Sequence, residues 1–375
     1  MKVVFTGGGT GGHFYPLIAV AESLNKIINE KNIAEAELFY FGEKAYDERA
    51  LFEQRISFRA VSSGKMSLGG SPRDIVRMFS VLGGIFQALR ELFDVFPDVI
   101  FAKGGYDSFP TLVAARILRI PVIIHESDTV PGRVNIWAGK FARHIALSYA
   151  EAATYFPKEK VAHTGQPMRQ SVMRVTTHGS KEYLGLREDV PTLVILGGSQ
   201  GAQRINDAFL DIAPMLVERY QVIHQVGTLN EEEFQLRLST VLENSEHRSR
   251  YKVFGFLNPL AMSMAAGSAS LIITRAGSTL FEIAAWETPS IIIPIPPDLS
   301  RDQTTNAFTY ARHGGGIVIE EANMTPQILL SEIVRILSNE NLYNDMVASL
   351  HAFAHTDAAD IIAQKIVDIS LEHEL

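Results

Sequence analysis

The chain has 375 residues, which fits two domains of about 150 to 200 residues each better than one. Hydrophobic residues make up 46% of it and charged residues 20%, so it has enough apolar surface for folded cores and is not a disordered chain. The absence of cysteine excludes disulfides, thiolate nucleophiles and sulfur-ligated zinc, and the net charge of -8 opposes a general nucleic-acid partner.

Short apolar runs rich in β-branched residues alternate with helical stretches along the chain. This alternation is typical of repeated βαβ units and predicts an α/β fold with two doubly wound parallel sheets. The strands predicted for the first sheet are 2–6, 37–41, 57–61, 98–102, 121–125 and 144–147. Those predicted for the second sheet are 192–196, 221–225, 251–254, 271–274, 290–294 and 316–319.

A segment without sustained apolar periodicity separates the two sets of strands. It covers residues 166–190, contains Pro167 and a polar run, and is typical of a linker. We therefore predict one domain over residues 1–165 and a second over 166–356, with a terminal helix of about 357–375 that packs back on the first. Two such domains would face a cleft at the carboxyl ends of their strands, where ligands bind in these folds.

A glycine-rich turn, GGGTGGH at residues 7–13, follows the first predicted strand and precedes a helix. Glycines let the backbone approach an anion, which the helix N-terminus attracts. Gly7, Gly9 and Gly12 also match the dinucleotide fingerprint, but the acidic residue expected about 20 positions later is not clearly present. His13 is a candidate for proton transfer because its reference pKa is near neutrality; the alternative is a helix cap or a contact with the neighbouring domain.

Two further motifs follow predicted strands of the first half. The sequence KGGYDSFP at residues 103–110 is again a glycine turn before a helix, and it predicts a second anion site. The sequence HESD at 125–128 follows the fifth strand. His125 and Glu126 fit either an acid/base pair or a structural hydrogen-bonded pair. A metal site is less expected, because no second histidine follows at ligand spacing.

Three polar motifs follow predicted strands of the second half. The sequence GGSQGA at 197–202 is typical of a diphosphate cradle. In RAGSTLFE at 275–282 the hydroxyls could cap the next helix or receive a ligand, and Glu282 fits either an exposed charge or a carboxylate that binds two ribose hydroxyls. The sequence DQTTNA at 302–307 could bind the hydroxyls of a sugar; the alternative is a helix cap.

Residues 71–96 carry apolar side chains at helical spacing, broken by Gly83-Gly84 and flanked by arginines. A buried helix gives this pattern, and so does an apolar patch ringed by basic groups that rests on an anionic membrane. The first 165 residues hold 19 Lys and Arg against 17 Asp and Glu, while the rest hold 15 against 25, which favours the membrane slightly. No signal peptide and no run of about 18 apolar residues is present, so we expect a cytoplasmic protein.

The order of these motifs resembles that of one family. The chain carries, in order, GGGTGGHFYP, GGYDSFP, HESDTVPGRVN, TGQPMR, GGSQGAQRIN, RAGSTLFEIA and DQTTNA. It is similar in this to the MurG family of UDP-N-acetylglucosamine:undecaprenyl-diphospho-muramoylpentapeptide N-acetylglucosaminyltransferases. The resemblance implies a GT-B fold of two Rossmann-like domains, with the lipid acceptor at the first and the UDP-sugar mainly at the second. It implies no cofactor and no obligatory metal.

The resemblance also implies roles for individual residues. For the donor UDP-N-acetylglucosamine the matching positions are Thr10, Gly11, Gly12, Asp128, Arg169, Ser199, Leu257, Ser278, Thr279, Leu280, Glu282, Gln303 and Asn306. For the acceptor diphosphate they are Gly104, Gly105 and Tyr106. Within the donor set, Arg169 and Ser199 would contact the diphosphate and the backbone of Leu257 the uracil. Glu282 would bind the ribose.

The implied reaction is an inverting transfer in peptidoglycan synthesis, which converts lipid I to lipid II. The 4-hydroxyl of the acceptor's N-acetylmuramoyl residue attacks the anomeric carbon of the donor and UDP leaves, with His13 as the candidate base and Glu126 as the alternative. Such an enzyme would be peripheral on the cytoplasmic face of the cell membrane. Another GT-B glycolipid transferase, a UDP-N-acetylglucosamine 2-epimerase and a non-catalytic subunit that presents a lipid-linked sugar stay open as alternatives.

Overall fold

The structure, a computed structural model, describes residues 1–33, 35–63, 72–198, 201–298 and 303–372, with the backbone alone for 72–79. The chain forms two compact units, of which one comprises Met1–Arg169 with His355–Leu375 and the other Gln170–Ala354. Each unit is built around one parallel sheet with helices on both faces. The assignment of a substrate to each sequence-defined domain stays a prediction.

Seven strands occur among the described residues of the first unit: β1 (Lys2–Thr6), β2 (Glu37–Gly42), β3 (Ile56–Ala60), β4 (Val99–Ala102), β5 (Val122–Glu126), β6 (His144–Leu147) and β7 (Val161–His163). They form a parallel sheet in the order β3-β2-β1-β4-β5-β6-β7. Its helices are α1 (Gly11–Glu30), α2 (Glu48–Glu53), α3 (Pro72–Val95), α4 (Phe109–Leu118) and α5 (Arg133–Gly139). Short 3-10 helices cover Tyr106–Ser108, Ala150–Tyr155 and Lys158–Lys160.

The second unit is organised in the same way. Its described residues include six strands: β8 (Thr192–Leu196), β9 (Gln221–Gln225), β10 (Tyr251–Phe254), β11 (Leu271–Thr274), β12 (Ser290–Ile292) and β13 (Gly316–Val318). The parallel order is β10-β9-β8-β11-β12-β13. The helices are α6 (Gln170–Met173), α7 (Ser180–Tyr183), α8 (Gln203–Arg219), α9 (Glu231–Val241), α10 (Pro259–Ser268), α11 (Thr279–Ala285), α12 (Gln303–Arg312), α13 (Pro326–Ser338) and α14 (Glu340–Phe353). Two 3-10 helices cover Arg248–Arg250 and Glu321–Asn323.

The pleat of β1 shows how each sheet holds two cores. Val3 and Phe5 pack into one apolar cluster with α1, whereas Val4 packs on the opposite face with residues of α3 and α4. The chain ends with α15 (Ala358–Leu371), whose Ile362 and Ile366 complete the cluster on the α1 face. This helix therefore closes the core of the first unit, although it comes last in the sequence.

The prediction of an α/β fold with two Rossmann-like parallel sheets is confirmed. Three details were not predicted. The first sheet has a seventh strand, β7, and the segment expected to be a linker contains α6 and α7. The sequence also did not show why α3, which runs through Gly83 and Gly84, has a glycine at position 84. Gly84 packs so closely on the carbonyl oxygen of Ser62 that a Cβ atom would lie 1.9 Å from it, so glycine serves helix packing here.

Candidate active site

Two glycine turns lie side by side in the first unit. The strand order reverses between β1 and β4, and the turns at residues 7–10 and 103–105 follow these two neighbouring strands. In open parallel sheets, ligands bind outside the carboxyl ends of the strands at such a reversal. The two anion sites predicted from the first half of the sequence therefore share the position where the topology favours a ligand.

The two turns are in backbone contact, and the contact requires glycine. Gly7 has a φ of +103°, and a Cβ atom on it would lie 2.6 Å from the carbonyl oxygen of Gly104. Gly104 has a φ of +81°, and a Cβ atom there would lie 2.5 Å from Oδ1 of Asn135. A side chain at either position would push the turns apart or displace Asn135.

His13 lies in the first turn of α1 and faces the second glycine turn. Its half-buried ring has Nδ1 2.9 Å from the hydroxyl of Thr10, and its Nε2 would lie 3.9 Å from a Cβ atom on Gly105. Burial and, to a smaller extent, the charge on Lys103 together lower the pKa of His13 to about 4. The imidazole is therefore neutral near pH 7. If Nδ1–H is donated to Thr10, Nε2 is able to accept a proton on the side of the second turn.

The Glu126 carboxylate, only 4% exposed, is engaged by its own loop. Its Oε1 accepts the N–H groups of Ser127 at 2.8 Å and Asp128 at 3.0 Å. Its Oε2 accepts the N–H of Gly132 at 3.0 Å and the side-chain amide of Asn135 at 2.9 Å. Burial raises the pKa of Glu126, and Asp128 raises it further, while hydrogen bonds from Asn135 and Asp128 act in the opposite direction. This geometry suits a carboxylate that holds the loop after β5 in place.

Lys103 and His125 form a buried pair beside that loop. Lys103 Nζ lies 2.6 Å from His125 Nδ1 and also donates to the hydroxyl of Ser127. His125 Nε2 lies 3.0 Å from the carbonyl oxygen of Gly165, which can only accept, so the ring carries its proton on Nε2 and accepts from Lys103 at Nδ1. Burial lowers the pKa of both groups, that of Lys103 to about 8. His125 is thus a neutral hydrogen-bonding group in this network.

Arg169 lies over the ring of Tyr15. The guanidinium carbon is 3.9 Å from the ring centre, which is cation–π distance. The hydroxyl of Tyr15 donates to Asp47 at 3.3 Å, and its ring packs edge to face against Tyr46. These contacts hold a positive group beside α1, at a residue predicted to contact a diphosphate.

The second sheet repeats the reversal of strand order, here between β8 and β11. The turn after β8 contains Gly198 and Gly201, with φ values of +82° and +77°. A Cβ atom on Gly201 would lie 2.3 Å from the carbonyl oxygen of Val226, so this turn also requires glycine. Ser199, predicted to contact the donor diphosphate, lies outside the described residues.

A buried ion pair fixes the turn after β11. Arg275 Nη1 lies 2.6 Å from Oε2 of Glu321 and donates to the carbonyl oxygen of Ile293 at 3.1 Å. Arg204, in the first turn of α8, adds a second ion pair to Glu321 at 3.4 Å. The guanidinium of Arg275 therefore connects this turn to the residues that follow β12 and β13.

The predicted donor residues after β11 differ in their accessibility. Ser278, Thr279 and Glu282 are half-buried at the start of α11. Leu280 is fully buried in an apolar cluster that includes Tyr310, so only its backbone could meet a ligand. The proposed ribose carboxylate, Glu282, is thus more accessible than its apolar neighbour.

Three further predicted donor residues lie after β10 and on α12. Leu257 is buried and donates its N–H to the side chain of Gln225 at 3.1 Å, which leaves its carbonyl as the backbone group for the predicted uracil contact. Gln303 accepts the N–H of Ile295 at 3.3 Å through its side-chain oxygen, and Asn306 is buried. The roles of all these residues in binding stay predictions.

Sequence reasoning did not select Lys103, Asn135 or Tyr15, although each contacts a predicted site residue. Lys103 stands between an apolar strand and the glycine pair, and a charge at that position is a signal that could have found it. Asn135 ends the motif HESDTVPGRVN and Tyr15 lies in GGGTGGHFYP, but the resemblance implies no role for either residue. Among the described side chains, no group of three or more His, Asp or Glu is placed to hold a metal ion.

The helix α3 presents apolar side chains at the surface. Phe86 and Phe93 are 74% and 75% exposed, and Leu82 is also exposed, whereas Ala88 and Leu92 of the same helix are buried. The side chains of residues 72–79, which belong to the predicted patch, lie outside the described part. Across the described ranges, no helix combines the length and apolar character needed to cross a membrane.

Two family models match the chain. The N-terminal domain model of glycosyltransferase family 28 matches residues 3–147, and the C-terminal domain model matches residues 192–364. The chain belongs to glycosyltransferase family 28. The family resemblance drawn from the motifs is confirmed, and so is the prediction of a glycosyltransferase.

Curated relatives and solved structures agree with this family. Relatives from Natranaerobius thermophilus and Shouchella clausii are 31% and 33% identical over 97% of this chain and 98% of their own. Both are named UDP-N-acetylglucosamine--N-acetylmuramyl-(pentapeptide) pyrophosphoryl-undecaprenol N-acetylglucosamine transferase. The crystal structure of MurG from Acinetobacter baumannii has a TM-score of 0.74 at 25% identity, over 98% of this chain and 99% of that one. A UDP-GlcNAc 2-epimerase from Neisseria meningitidis, 14% identical with a TM-score of 0.70 over 98% and 100%, shares the fold.

Proposed function

We propose that this glycosyltransferase moves N-acetylglucosamine from UDP-N-acetylglucosamine to the 4-hydroxyl of an N-acetylmuramoyl peptide linked through diphosphate to undecaprenol. The names of relatives that cover nearly the whole chain support both substrates. The proposed reaction rests on the position of His13, whose Nε2 is directed at the glycine turn proposed for the acceptor diphosphate. A base and an anion site thus occur together in the first unit.

In the proposed step, the acceptor oxygen forms a bond to the anomeric carbon of the donor. The bond from that carbon to the β-phosphate oxygen breaks, and its electron pair leaves with UDP, so the configuration inverts. The proton of the 4-hydroxyl passes to Nε2 of His13. Glu126 is the weaker candidate for this proton, because its two oxygens already accept four N–H groups.

The departing UDP requires positive potential, and two of the regions predicted to bind the donor carry it. Arg169 is held by Tyr15, and the turn after β8 leads into the N-terminus of α8, whose first N–H groups have no carbonyl partner within the helix. Glu282, half-buried at the start of α11, is the carboxylate that we propose for the ribose. These groups would stabilise the charge that develops on the leaving group.

We also propose that the first unit docks on the cytoplasmic face of an anionic membrane, which brings the acceptor turn to its lipid-linked substrate. The exposed Phe86 and Phe93 supply the apolar contact, and Arg90 on the same helix is exposed. Flotation with anionic vesicles should therefore be lost in a Phe86→Ser, Phe93→Ser double variant. It should be retained in Leu229→Ser, which removes an apolar residue exposed on the second unit. Equal flotation of both variants would refute this surface.

The direct test of the reaction is transfer of radiolabel from UDP-N-acetylglucosamine to a short-chain prenyl-diphosphate muramoyl pentapeptide. We expect a labelled disaccharide lipid, formed only when this acceptor is present. Consumption of UDP-N-acetylglucosamine at the same rate without acceptor would instead indicate an epimerase. Binding of UDP without any transfer would indicate a non-catalytic subunit, and transfer to a different glycolipid alone would indicate another acceptor.

A further inference from the structure

We infer that Lys103 is a positioning residue for acceptor binding: its buried ammonium, on the residue directly before Gly104–Gly105, supplies positive charge to a diphosphate bound at that turn without touching it. This inference rests on the proposed function, because it takes the acceptor to be anionic. It gives a role to Lys103, which stands first in the motif KGGYDSFP but has no role implied by the resemblance.

The position of Lys103 in the first sheet supports this inference. It follows directly on β4, where the strand order of the first sheet reverses, and its backbone N–H donates to the carbonyl oxygen of Thr6 at the end of β1. The side chain is only 2% exposed and reaches the end of β5, where Nζ contacts His125 and Ser127. The backbone of Lys103 thus links the ends of β1 and β4, and its charge is held at the end of β5 and in the loop that follows.

The hydrogen-bond partners of Lys103 also support this inference. His125 and Ser127 are both neutral, since the imidazole holds its single proton on Nε2. A buried ammonium with neutral partners is unfavourable unless negative charge compensates it. Glu126 and Asp128 compensate part of this charge, and an anion at the adjacent turn would add to that compensation, so the energy of burying Lys103 favours the liganded state.

The charged and titratable groups around Lys103 are known. Glu126 and Asp128, at the end of β5 and in its loop, favour the ammonium, while burial acts more strongly and lowers the pKa of Lys103 to about 8. Lys103 in turn lowers the pKa of His125 on β5 and of His13 on α1. Near pH 8 the unliganded protein is therefore a mixture of both forms of Lys103. A bound diphosphate would raise the pKa of Lys103, so binding should take up protons at this pH.

The size of the effect of the Lys103 charge on acceptor affinity follows from Coulomb's law. Two charges about 7 Å apart in a medium of effective dielectric about 20 interact strongly enough for a change of about 10- to 100-fold in affinity. Removing the charge should therefore raise the KM for the acceptor by about that factor. It should leave the KM for UDP-N-acetylglucosamine within about twofold, because the donor is proposed to bind mainly elsewhere.

The variants for the test are Lys103→Gln, which keeps a donor for His125, and Lys44→Gln, which removes an exposed charge from the same unit. Each is assayed with the prenyl-diphosphate muramoyl peptide and with its monophosphate analogue. We expect Lys103→Gln to impair use of the diphosphate more than use of the monophosphate, and Lys44→Gln to match wild type. Equal losses with both acceptors would mean a purely structural role and overturn the inference, as would an unchanged acceptor KM.

A second measurement needs no variant. Calorimetry of acceptor binding to the wild-type protein at pH 8, in two buffers of different ionisation enthalpy, reports the protons taken up. We expect uptake of a fraction of a proton, and an acceptor KM that rises as the pH increases above about 8. Binding without proton uptake would overturn the inference even if Lys103→Gln failed to fold. Absence of transfer by the wild-type protein would instead refute the proposed function, so the two failures are distinguishable.

Discussion

Replacing Glu126 with glutamine separates a catalytic base from a loop anchor. Each carboxylate oxygen accepts two N–H groups in the structure. A glutamine amide would keep one of these oxygens and set its NH2 group against two N–H donors. Hydrogen bonds to a charged group contribute about 1.5 to 3 kcal/mol each, so the loss of two should lower the free energy of unfolding by about 3 to 6 kcal/mol. The proposed transfer step itself would still proceed in the folded fraction.

The unfolding of the first unit can be followed separately, because each unit contains one tryptophan. Trp137 lies on α5, directly after the loop that Glu126 holds, and Trp286 lies in the second unit. Urea unfolding followed at Trp137, in variants from which Trp286 has been replaced by phenylalanine, reports the first unit. Glu126→Gln should shift this transition to lower urea and keep kcat within about tenfold when folded. Glu151→Gln, at an exposed carboxylate of the same unit, is the control for which no shift is expected.

For His13→Ala we expect the stability to be kept and kcat to be lost. This substitution removes a half-buried ring from the start of α1 and should leave the transition nearly unchanged, while kcat falls about 100- to 10,000-fold through loss of the base. If Glu126→Gln instead kept its stability and lost as much kcat as His13→Ala, Glu126 would be the base and the reasoning from its hydrogen bonds would be wrong.

Two other predictions follow from the structure. Tyr15→Leu should raise the KM for UDP-N-acetylglucosamine about 3- to 10-fold because Arg169 loses its cation–π partner, whereas Tyr15→Phe, which keeps the ring, should not; equal KM values for the two variants in steady-state assays would contradict this. Burial lowers the pKa of His224 to about 3, so the folded second unit resists a proton that the unfolded chain accepts below about pH 6.5. Its free energy of unfolding should therefore fall by about 1.4 kcal/mol per unit as the pH is lowered from 6.5 towards 3. In denaturant titrations at pH 4.5 and 7, the free energy of unfolding of His224→Gln should depend less on pH than that of the wild type. The same pH dependence in both proteins would refute the assignment to His224.

The strands were predictable because a buried parallel strand is a continuous apolar run. The strand β7 escaped prediction because it has three residues, Val161–His163, at the edge of the sheet, and two of them are exposed. The reason for a glycine inside α3 was also not visible in the sequence. Glycine weakens a helix on its own, and only the close contact between Gly84 and the backbone of Ser62 explains why the helix needs it there.

The site was predictable where it depends on backbone. Glycine turns after apolar strands show in the sequence, and the topology then brings the turns after β1 and β4 together. The side-chain network was not predictable, because its members are distant in sequence: Lys103 meets His125 across 22 residues, and His125 meets Gly165 across 40. The choice between an acid/base pair and a structural pair at His125 and Glu126 depends on those contacts.

The low pKa of His13 yields a further prediction, because we expect this pKa to change when the acceptor binds. A pKa of about 4 makes His13 neutral but weakly basic in the free protein, and part of the lowering comes from the charge on Lys103. A bound diphosphate would offset that charge and raise the pKa of His13, so the base would strengthen when the acceptor is present. The acidic limb of kcat/KM reports the free protein and should lie near pH 4 to 5, whereas that of kcat reports the complex and should lie higher. In Lys103→Gln the limb of kcat/KM should move to higher pH, while in Lys44→Gln it should not. A limb near the ordinary histidine value of about 6.5 in wild-type kcat/KM, unmoved by Lys103→Gln, would show that the burial of His13 does not control its basicity.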